Sequence, residues 1–330
     1  MTDNRNKACS SILDAVGNTP LVKLNKITDG IRKDIEIYAK LEFMNPTGSI
    51  KDRIAKHMIE KAEKDGRIQN GQLIIENSSG NTAVGLAMVA VQKGYKLKVV
   101  VRDSLSKEKQ DQLKALGVEI HRVDSTLPPE HPDSYNKITP RIVKETPGCY
   151  FPDQHNNLEN NETHYLNTGP EIWRQMDGKI DFFIAGMGTG GTISGTSRFL
   201  KEQDPNIKII GIDPIGSIFY NYFKTRQITP SGRYLIEGLG DEFPLPTAEF
   251  DLLDDMFQVT DKDAFLHARK LVKDEGILGG GSSGAALWGA LKLARSLEHP
   301  ARIVTIFPDS ASRYLSSIFN DQWMTDKGLL

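Results

Sequence analysis

The 330-residue sequence has only two cysteines, Cys9 and Cys149, too few for a disulfide framework and in no metal-ligand spacing. This scarcity is typical of a reducing compartment, and we expect a cytoplasmic location. There is no apolar run of the roughly 20 residues that span a bilayer, and the polar N-terminus precedes no apolar signal core. We therefore expect neither secretion nor membrane insertion.

Neither sign of charge dominates, since 41 Lys and Arg face 43 Asp and Glu, for a net charge of −2. A balanced surface of this kind lacks the broad basic face that binds nucleic acid or anionic lipid. Internal repeats and low-complexity segments are also missing. We therefore expect small molecules as partners, and neither nucleic acid nor membrane.

The chain is longer than one hydrophobic core usually fills, about 250–300 residues, so we expect two domains. Short β-rich runs alternate with helical segments, which is typical of parallel sheets in α/β folds. These predicted strands are Leu73–Ile75, Leu97–Val101, Val118–Ile120, Phe182–Ala185, Ile207–Ile212 and Ile303–Phe307.

Helices are predicted between the strands. Ile50, Ile54 and Met58 recur at a spacing of four, and Ser49 can cap this helix, so that Lys51 lies in its first turn. Two further predicted helices, 82–93 and one from Ser106, end at glycines 94 and 117, which suit left-handed C-caps. The proline-containing stretch 124–136 predicts a surface connection near a domain boundary.

A glycine-rich loop follows the strand Phe182–Ala185 and precedes a helix. Its G-x-G-x-x-G pattern, with Asp213 located 22 residues after Gly191, also fits a dinucleotide site. A turn that serves only tight strand-to-helix packing is a further alternative. The hydroxyls of Thr189 and Thr192 favour a terminal phosphate, bound by backbone N–H groups of Gly188, Thr189, Gly190, Gly191 and Thr192.

Two other features direct the interpretation toward pyridoxal phosphate. The amine of Lys51 can bond the cofactor's aldehyde. A second glycine turn, 279–284, opens onto a helix predicted from Ala285 to about Ser296, and a serine there could face a ring nitrogen. An amine and a phosphate loop together predict this cofactor. A nicotinamide enzyme would have no use for the Lys51 turn.

The loop Asn77–Thr82 is predicted to bind a carboxylate. It follows a strand, carries hydroxyls and precedes a helix whose N-terminus favours an anion. We interpret it as the site of an amino acid's α-carboxylate, and an ordinary Ser or Asn helix cap is the alternative.

Together these motifs resemble the fold-type-II pyridoxal-phosphate family of β-replacement enzymes. The matching segments follow the family's order over nearly the whole chain: Val16–Leu21, Gly48–Arg53, Ser79–Thr82, Gly188–Thr192 and Gly280–Gly284. Within that family the chain looks closer to the catalytic core of cystathionine β-synthases than to cysteine synthases, through 177–179, 211–218, 237–240, Pro308–Ser310 and 321–324.

The resemblance implies a tryptophan synthase β-like fold of two three-layer α/β domains with mostly parallel sheets. A large cofactor-binding domain would comprise 1–48 and 148–330, and a small mobile domain 49–147 would close over the substrate, with the cofactor in the cleft between them. It also implies a homodimer. Neither a haem-bearing extension nor a tandem regulatory module is expected.

The resemblance assigns roles residue by residue. Lys51 holds the cofactor and moves the Cα proton, Asn81 bonds the ring's 3′ oxygen, and Ser282 is a neutral partner of the pyridine nitrogen. The substrate carboxylate is assigned to Ser78, Ser79, Gly80, Thr82 and Gln154.

The implied activity is β-replacement on serine or an activated serine by a thiol, with homocysteine as in cystathionine β-synthase. Cysteine synthase, which uses O-acetylserine and sulfide, is the alternative. A non-catalytic cofactor-binding module is a third hypothesis, and a dehydrogenase is the remaining one. Asn77-Ser78, Ala83 and His155 differ from the residues common in the family, which leaves the amino-acid donor open.

Overall fold

The computed structural model of the chain describes residues 8–78, 80–103, 105, 107–127 and 131–330. These residues form two compact units. The first unit consists of the segment up to Asn18 together with Met44–Asp153, and the second of Thr19–Phe43 together with Gln154–Leu330. The predicted roles of residues 49–147 in closure and of the remainder in cofactor binding stay predictions.

Strands and helices alternate along the chain. The strands are β1 (Leu21–Lys23), β2 (Ile35–Leu41), β3 (Leu73–Asn77), β4 (Lys96–Arg102), β5 (Glu119–Val123), β6 (Phe182–Gly186), β7 (Lys208–Pro214), β8 (Asp255–Val259) and β9 (Ala301–Phe307). The helices are α1 (Lys51–Lys64), α2 (Asn81–Lys93), α3 (Lys107–Ala115), α4 (Tyr135–Glu145), α5 (Glu159–Thr163), α6 (Gly169–Gln175), α7 (Gly191–Gln203), α8 (Phe219–Thr225), α9 (Asp261–Glu275), α10 (Gly281–Ser296) and α11 (Asp321–Asp326).

The first unit contains a three-stranded parallel sheet in the order β3-β4-β5. Its core is formed by apolar residues of the sheet, of α1 and of α2, including Ile59, Ile74, Leu86 and Val99. The two helices approach closely at Gly85, where an added Cβ would lie 3.1 Å from the carbonyl oxygen of Lys51. This packing places the first residue of α1 against α2.

Helix α1 has the predicted inward stripe, since Ile54 and Met58 are fully buried and Ile50 is nearly so. The helix begins at Lys51, whose N–H donates to the Ser49 hydroxyl at 3.2 Å. Gly94 and Gly117 adopt the predicted left-handed conformation, with φ of 75° and 74°. Ser106, the predicted start of α3, lies outside the described residues, and the connection after β5 ends at Ser134 because α4 begins at Tyr135.

The second unit contains a six-stranded sheet in the order β1-β2-β9-β6-β7-β8. Strand β1 is antiparallel to β2, and the other neighbouring strands are parallel. The expected α/β class with mostly parallel sheets is therefore confirmed. In the described part of the chain, no helix combines the length and apolar character that a bilayer span requires.

The prediction for the start of α10 is wrong. The helix begins at Gly281 rather than Ala285, so the predicted glycine turn is largely the helix's own first turn. Gly284 serves helix packing instead, because an added Cβ would lie 2.0 Å from the carbonyl oxygen of Ala264 on α9. Ser282 consequently lies inside the first turn of a helix.

Candidate cofactor and substrate site

The loop between β6 and α7 in the second unit presents bare backbone donors. Helix α7 begins at Gly191, and within the described residues the N–H groups of Gly188 through Thr192 have no hydrogen-bond acceptor. Converging N–H groups at the positive end of a helix dipole form an anion site. The loop therefore fits the phosphate group of the expected cofactor.

Glycine is required at several positions of this loop. Gly190 has a φ of 86°, and an added Cβ there would lie 2.5 Å from Ala248 Cα. At Gly188 the added atom would lie 2.2 Å from the carbonyl oxygen of Gly238. Tight packing thus explains the absence of side chains, but it leaves the bare N–H groups without a partner, so packing alone does not account for the loop.

Two side chains from distant segments hold the loop, and sequence analysis missed both. The Asn160 amide donates to Thr189 Oγ1 at 3.0 Å and to the carbonyl of Gln154 at 2.9 Å. The Thr247 hydroxyl donates to the carbonyl of Thr189. The loop is therefore fixed by contacts that no local motif contains.

A buried histidine, also missed by the sequence analysis, contacts the first turn of α7. His164 lies in a π-helical turn, His164–Thr168, between α5 and α6. Its Nε2 is 3.2 Å from Thr192 Oγ1, and its Nδ1 is 2.9 Å from Thr168 Oγ1. The Thr192 hydroxyl is thus oriented by a side chain that is itself fully buried.

Ser282 also lies in the second unit, in the first turn of α10. Its side chain is buried, and its hydroxyl makes no hydrogen bond within the part of the chain that the structure describes. Unlike the hydroxyl of Ser283, it is not fully enclosed by protein atoms, so it stays open to a ligand. This hydroxyl therefore fits a ligand atom such as a ring nitrogen.

Lys51 is the first residue of α1 in the first unit. Its ammonium group has neither a hydrogen-bond nor an ion-pair partner in the described ranges. Desolvation lowers the pKa of Lys51 from 10.5 to about 8. About a tenth of the amine is therefore uncharged at pH 7, far more than for an ordinary lysine, and this uncharged form is what a nucleophile or base requires.

The turn before Lys51 is held by its neighbour Asp52. This fully buried carboxylate accepts the N–H of Thr47 at 2.7 Å and also the Thr47 hydroxyl. Asp52 was not predicted as a site residue. Its contacts fix the turn from which Lys51 enters the helix.

The predicted carboxylate loop lies in the same unit as Lys51. Helix α2 begins at Asn81, directly after the loop, and the buried Ser78 hydroxyl accepts the N–H of Gly80 at 3.3 Å. Thr82 is buried in the first turn. Ser79 lies outside the described residues. The first unit therefore brings Ser78, Gly80, Asn81 and Thr82 together at one helix N-terminus.

Gln154 belongs to the second unit, where its side chain is buried and its carbonyl accepts the Asn160 amide. The carbonyl oxygen of the next residue, His155, lies 3.1 Å from the Thr247 hydroxyl oxygen and shares that donor with the carbonyl of Thr189. Both residues therefore lie beside the phosphate loop.

Asp213 does not behave as a ribose-binding acid. It is fully buried at the end of β7, and its carboxylate accepts the N–H of Tyr220 in α8 at 2.9 Å. Desolvation raises the pKa of Asp213 to about 7. A carboxylate engaged with α8 is poorly placed to contact a nucleotide, which weakens the dinucleotide alternative.

Comparison with known proteins agrees with this geometry. Residues 12–309 match the family described as pyridoxal-phosphate dependent enzyme. The chain is 43% identical over 324 residues to cystathionine beta-synthase of Mus musculus, covering 98% of this chain and 58% of that protein. It is 42% identical over 346 residues to the enzyme of the same name from Saccharomyces cerevisiae, covering 100% of this chain and 67% of the other.

Two solved structures are similar over nearly their whole length. The O-acetylserine dependent cystathionine beta-synthase of Helicobacter pylori has a TM-score of 0.87 at 37% identity, covering 94% of this chain and 98% of that one. A hydrogen sulfide-producing enzyme of Fusobacterium nucleatum has a TM-score of 0.85 at 38% identity, covering 93% and 100%. The curated relatives are longer, and this chain spans about three fifths of the mouse protein.

Proposed function

Because the chain belongs to the family of pyridoxal-phosphate dependent enzymes, we propose that it catalyses β-replacement on serine or an activated serine by a thiol. The observation that carries this proposal is the amine of Lys51, which has no partner in the described ranges and a pKa lowered to about 8. A nucleophile and base of this kind is what such chemistry needs near neutral pH.

The cofactor of the family is pyridoxal 5′-phosphate, and the residues present fit it. The N–H groups of Gly188 through Thr192 would hold its phosphate, Ser282 its pyridine nitrogen and Asn81 its 3′ oxygen. Lys51 would bond its aldehyde carbon. When bound, the cofactor supplies an electron sink for charge that develops at the substrate's Cα.

Lys51 would also move the proton. Once the substrate's amino group has displaced it, the uncharged Nζ is free to take the proton from Cα and later to return it. A pKa of about 8 suits both directions, because a base and its conjugate acid are then both populated near neutral pH. One residue would thus serve as tether and as acid–base group.

The substrate's α-carboxylate would bind at the N-terminus of α2, to Ser78, Ser79, Gly80, Thr82 and Gln154. Backbone N–H groups and the helix dipole both favour a carboxylate there, and the dipole alone contributes about 0.3–2 kcal/mol. Fixing the carboxylate would orient Cα toward the base. Closure of residues 49–147 would exclude water from the reacting centre.

The choice of donor and thiol is part of the proposal. We favour cystathionine formation from serine or O-acetylserine with homocysteine, because both curated relatives named above are cystathionine beta-synthases. Cysteine formation from O-acetylserine and sulfide is the second candidate, and the O-acetylserine dependence named for the Helicobacter pylori enzyme supports that donor for either candidate. A cytoplasmic homodimer that serves transsulfuration and cysteine biosynthesis completes the proposal.

The experiment is an assay of the purified, cofactor-loaded protein with each donor and each thiol, with products identified by mass spectrometry. We expect cystathionine whenever homocysteine and an accepted donor are present. Cysteine formed from O-acetylserine and sulfide, without cystathionine, would move the assignment to the second candidate. A yellow protein that forms neither product would leave only the non-catalytic module, and a colourless one would end the proposal.

A further inference from the structure

The backbone that leads into α10 is paired with a second segment of the chain. Gly279 and Ser310 form an isolated antiparallel bridge. The N–H of Gly280 donates to the carbonyl of Asp309 at 3.0 Å, and that of Ala311 donates to the carbonyl of Leu278 at 2.9 Å. We call these paired segments, residues 278–280 and 309–311, the α10 clamp.

Two buried side chains close the clamp over Gly280. The Tyr314 hydroxyl donates to Asp309 Oδ2 at 2.7 Å, and the exposed fractions of these two residues are 5% and 2%. An added Cβ on Gly280 would lie 2.3 Å from Asp309 Oδ1 and 2.5 Å from Tyr314 Cε2. The Asp309–Tyr314 pair therefore packs directly against the backbone at Gly280.

Ser282 follows two residues later and depends on this backbone. Its hydroxyl makes no hydrogen bond in the described part of the chain, so no contact of its own fixes it. The position of its Cβ follows the backbone that carries it, and a helix disfavours one of the three χ1 rotamers. The clamp is thus the element that sets where the Ser282 hydroxyl can reach.

We propose that Asp309 and Tyr314 are positioning residues whose hydrogen bond fixes the start of α10 and so aims the Ser282 hydroxyl at the pyridine nitrogen of the cofactor. This inference rests on the proposed function, which gives Ser282 its ligand. Burial, together with the charges of Asp309 and Glu237, raises the pKa of Tyr314 well above its ordinary value. The phenol therefore remains a donor throughout the working pH range.

The test is a double-mutant cycle on the holoenzyme, built from Tyr314→Phe, Ser282→Ala and the variant with both changes. Tyr314→Phe keeps the ring against Gly280 and removes only the hydroxyl. We expect it to shift the absorption and emission spectrum of the bound cofactor in the same direction as Ser282→Ala, and to weaken cofactor binding about fivefold, as loss of one hydrogen bond predicts. In the double variant the spectrum should match that of Ser282→Ala alone.

Two further variants make the test specific. Asp309→Asn replaces the charged acceptor by a weaker, neutral one, so it should shift the spectrum in the same direction as Tyr314→Phe but less. This variant carries the test if Tyr314→Phe folds poorly. Tyr95→Phe is the matched control, since the Tyr95 hydroxyl donates to Glu63 at 2.8 Å in the first unit. It should leave the cofactor spectrum unchanged.

The outcomes distinguish a failure of the clamp inference from a failure of the proposed role of Ser282. If Ser282→Ala shifts the spectrum but Tyr314→Phe and Asp309→Asn only lower the melting temperature, the clamp is merely structural and the inference is wrong. Additive shifts in the double variant would also overturn it. If Ser282→Ala itself leaves the spectrum of the bound cofactor unchanged, the role of Ser282 fails, and the clamp inference fails with it.

Discussion

The two units carry different kinds of candidate functional groups. In the first unit the functional groups are side chains at the N-termini of α1 and α2, with Lys51 as the reactive amine. In the second unit they are largely backbone N–H groups of the loop Gly188–Thr192, which glycine packing holds in place. Under the proposed function the first arrangement would supply chemistry and the second would supply binding, so they should fail differently when altered.

A second comparison concerns two lysines, Lys40 and Lys51. Lys40 in β2 is fully buried, and its ammonium donates to Glu171 at 2.7 Å, to the Thr19 carbonyl at 2.7 Å and to Gln175 at 2.8 Å. A buried charge satisfied in this way has a structural role. Lys51 has none of these partners, and this difference marks it as the group available for chemistry.

The largest expected effect comes from Lys51→Ala. Loss of the base should reduce turnover by about 10³-fold or more, because a positioned base alone contributes about 10²–10⁴-fold. The lysine–cofactor bond trapped by borohydride should also disappear, as measured by mass spectrometry of the digested protein. Lys61→Ala is the matched control, since Lys61 lies on the same helix in an exposed pair with Asp65. Turnover retained by the Lys51 variant would contradict the role.

The lowered pKa of Lys51 can be measured directly by competitive acetylation at a series of pH values. The unprotonated fraction of this amine should rise with a midpoint near pH 8, whereas free Nα-acetyl-lysine follows the ordinary value of about 10.5. The readout is the pH dependence of label on the Lys51 peptide, taken in apoprotein. A midpoint indistinguishable from that of the free amino acid would show that the amine is not desolvated.

Gly190→Asp tests the binding side of the comparison. The added Cβ would meet Ala248, and the added charge would repel a phosphate, so we expect cofactor affinity to fall by about 100-fold or more. Equilibrium dialysis followed by absorption spectroscopy measures the retained cofactor.

The control for Gly190→Asp is Gly276→Asp at the C-terminus of α9. Gly276 has a similarly positive φ of 68° but no atom within 4 Å of an added Cβ. It therefore reports the effect of backbone strain without the clash and without a charge beside the loop Gly188–Thr192. Equal cofactor loss in both variants would attribute the effect to general destabilisation rather than to the loop.

Continuous apolar runs made part of the fold predictable. Strands β3, β4, β6, β7 and β9 follow such runs. Strand β2 was missed because Glu36 and Lys40 interrupt its pattern. The ion-pair partner of the buried Lys40 is Glu171, which lies 131 residues later in the chain. A partner at that distance leaves no local signal.

The residues of the candidate site were likewise predictable only in part. Lys51 and the glycine loop stand in compact motifs, so their segments could be found from the sequence. Asn160, His164 and Thr247 reach the loop from segments 29, 28 and 58 residues away from the atoms they contact. They became visible only through the folded contacts, because their types and local spacing are unremarkable.

The smallest expected effect concerns the desolvated acid of the second unit, Asp213, whose pKa is raised from 3.8 to about 7. Between these values the folded protein holds a proton that the unfolded chain has released, so stability falls as pH rises toward 7. The Asp213→Asn variant cannot bind this proton, so it lacks this pH-dependent loss of stability. Relative to wild type, the variant should therefore gain about 2–3 kcal/mol of unfolding free energy between pH 5 and pH 8.

Denaturant unfolding of both proteins at the two pH values measures this difference. Lys51 has the opposite sign, because its lowered pKa makes stability rise with pH between about 8 and 10.5. Both proteins carry Lys51, so its contribution cancels in the difference between them. A wild-type to variant difference that stays constant from pH 5 to pH 8 would mean that Asp213 is already ionised when folded, and that its buried oxygens are better satisfied than the contact with Tyr220 alone provides.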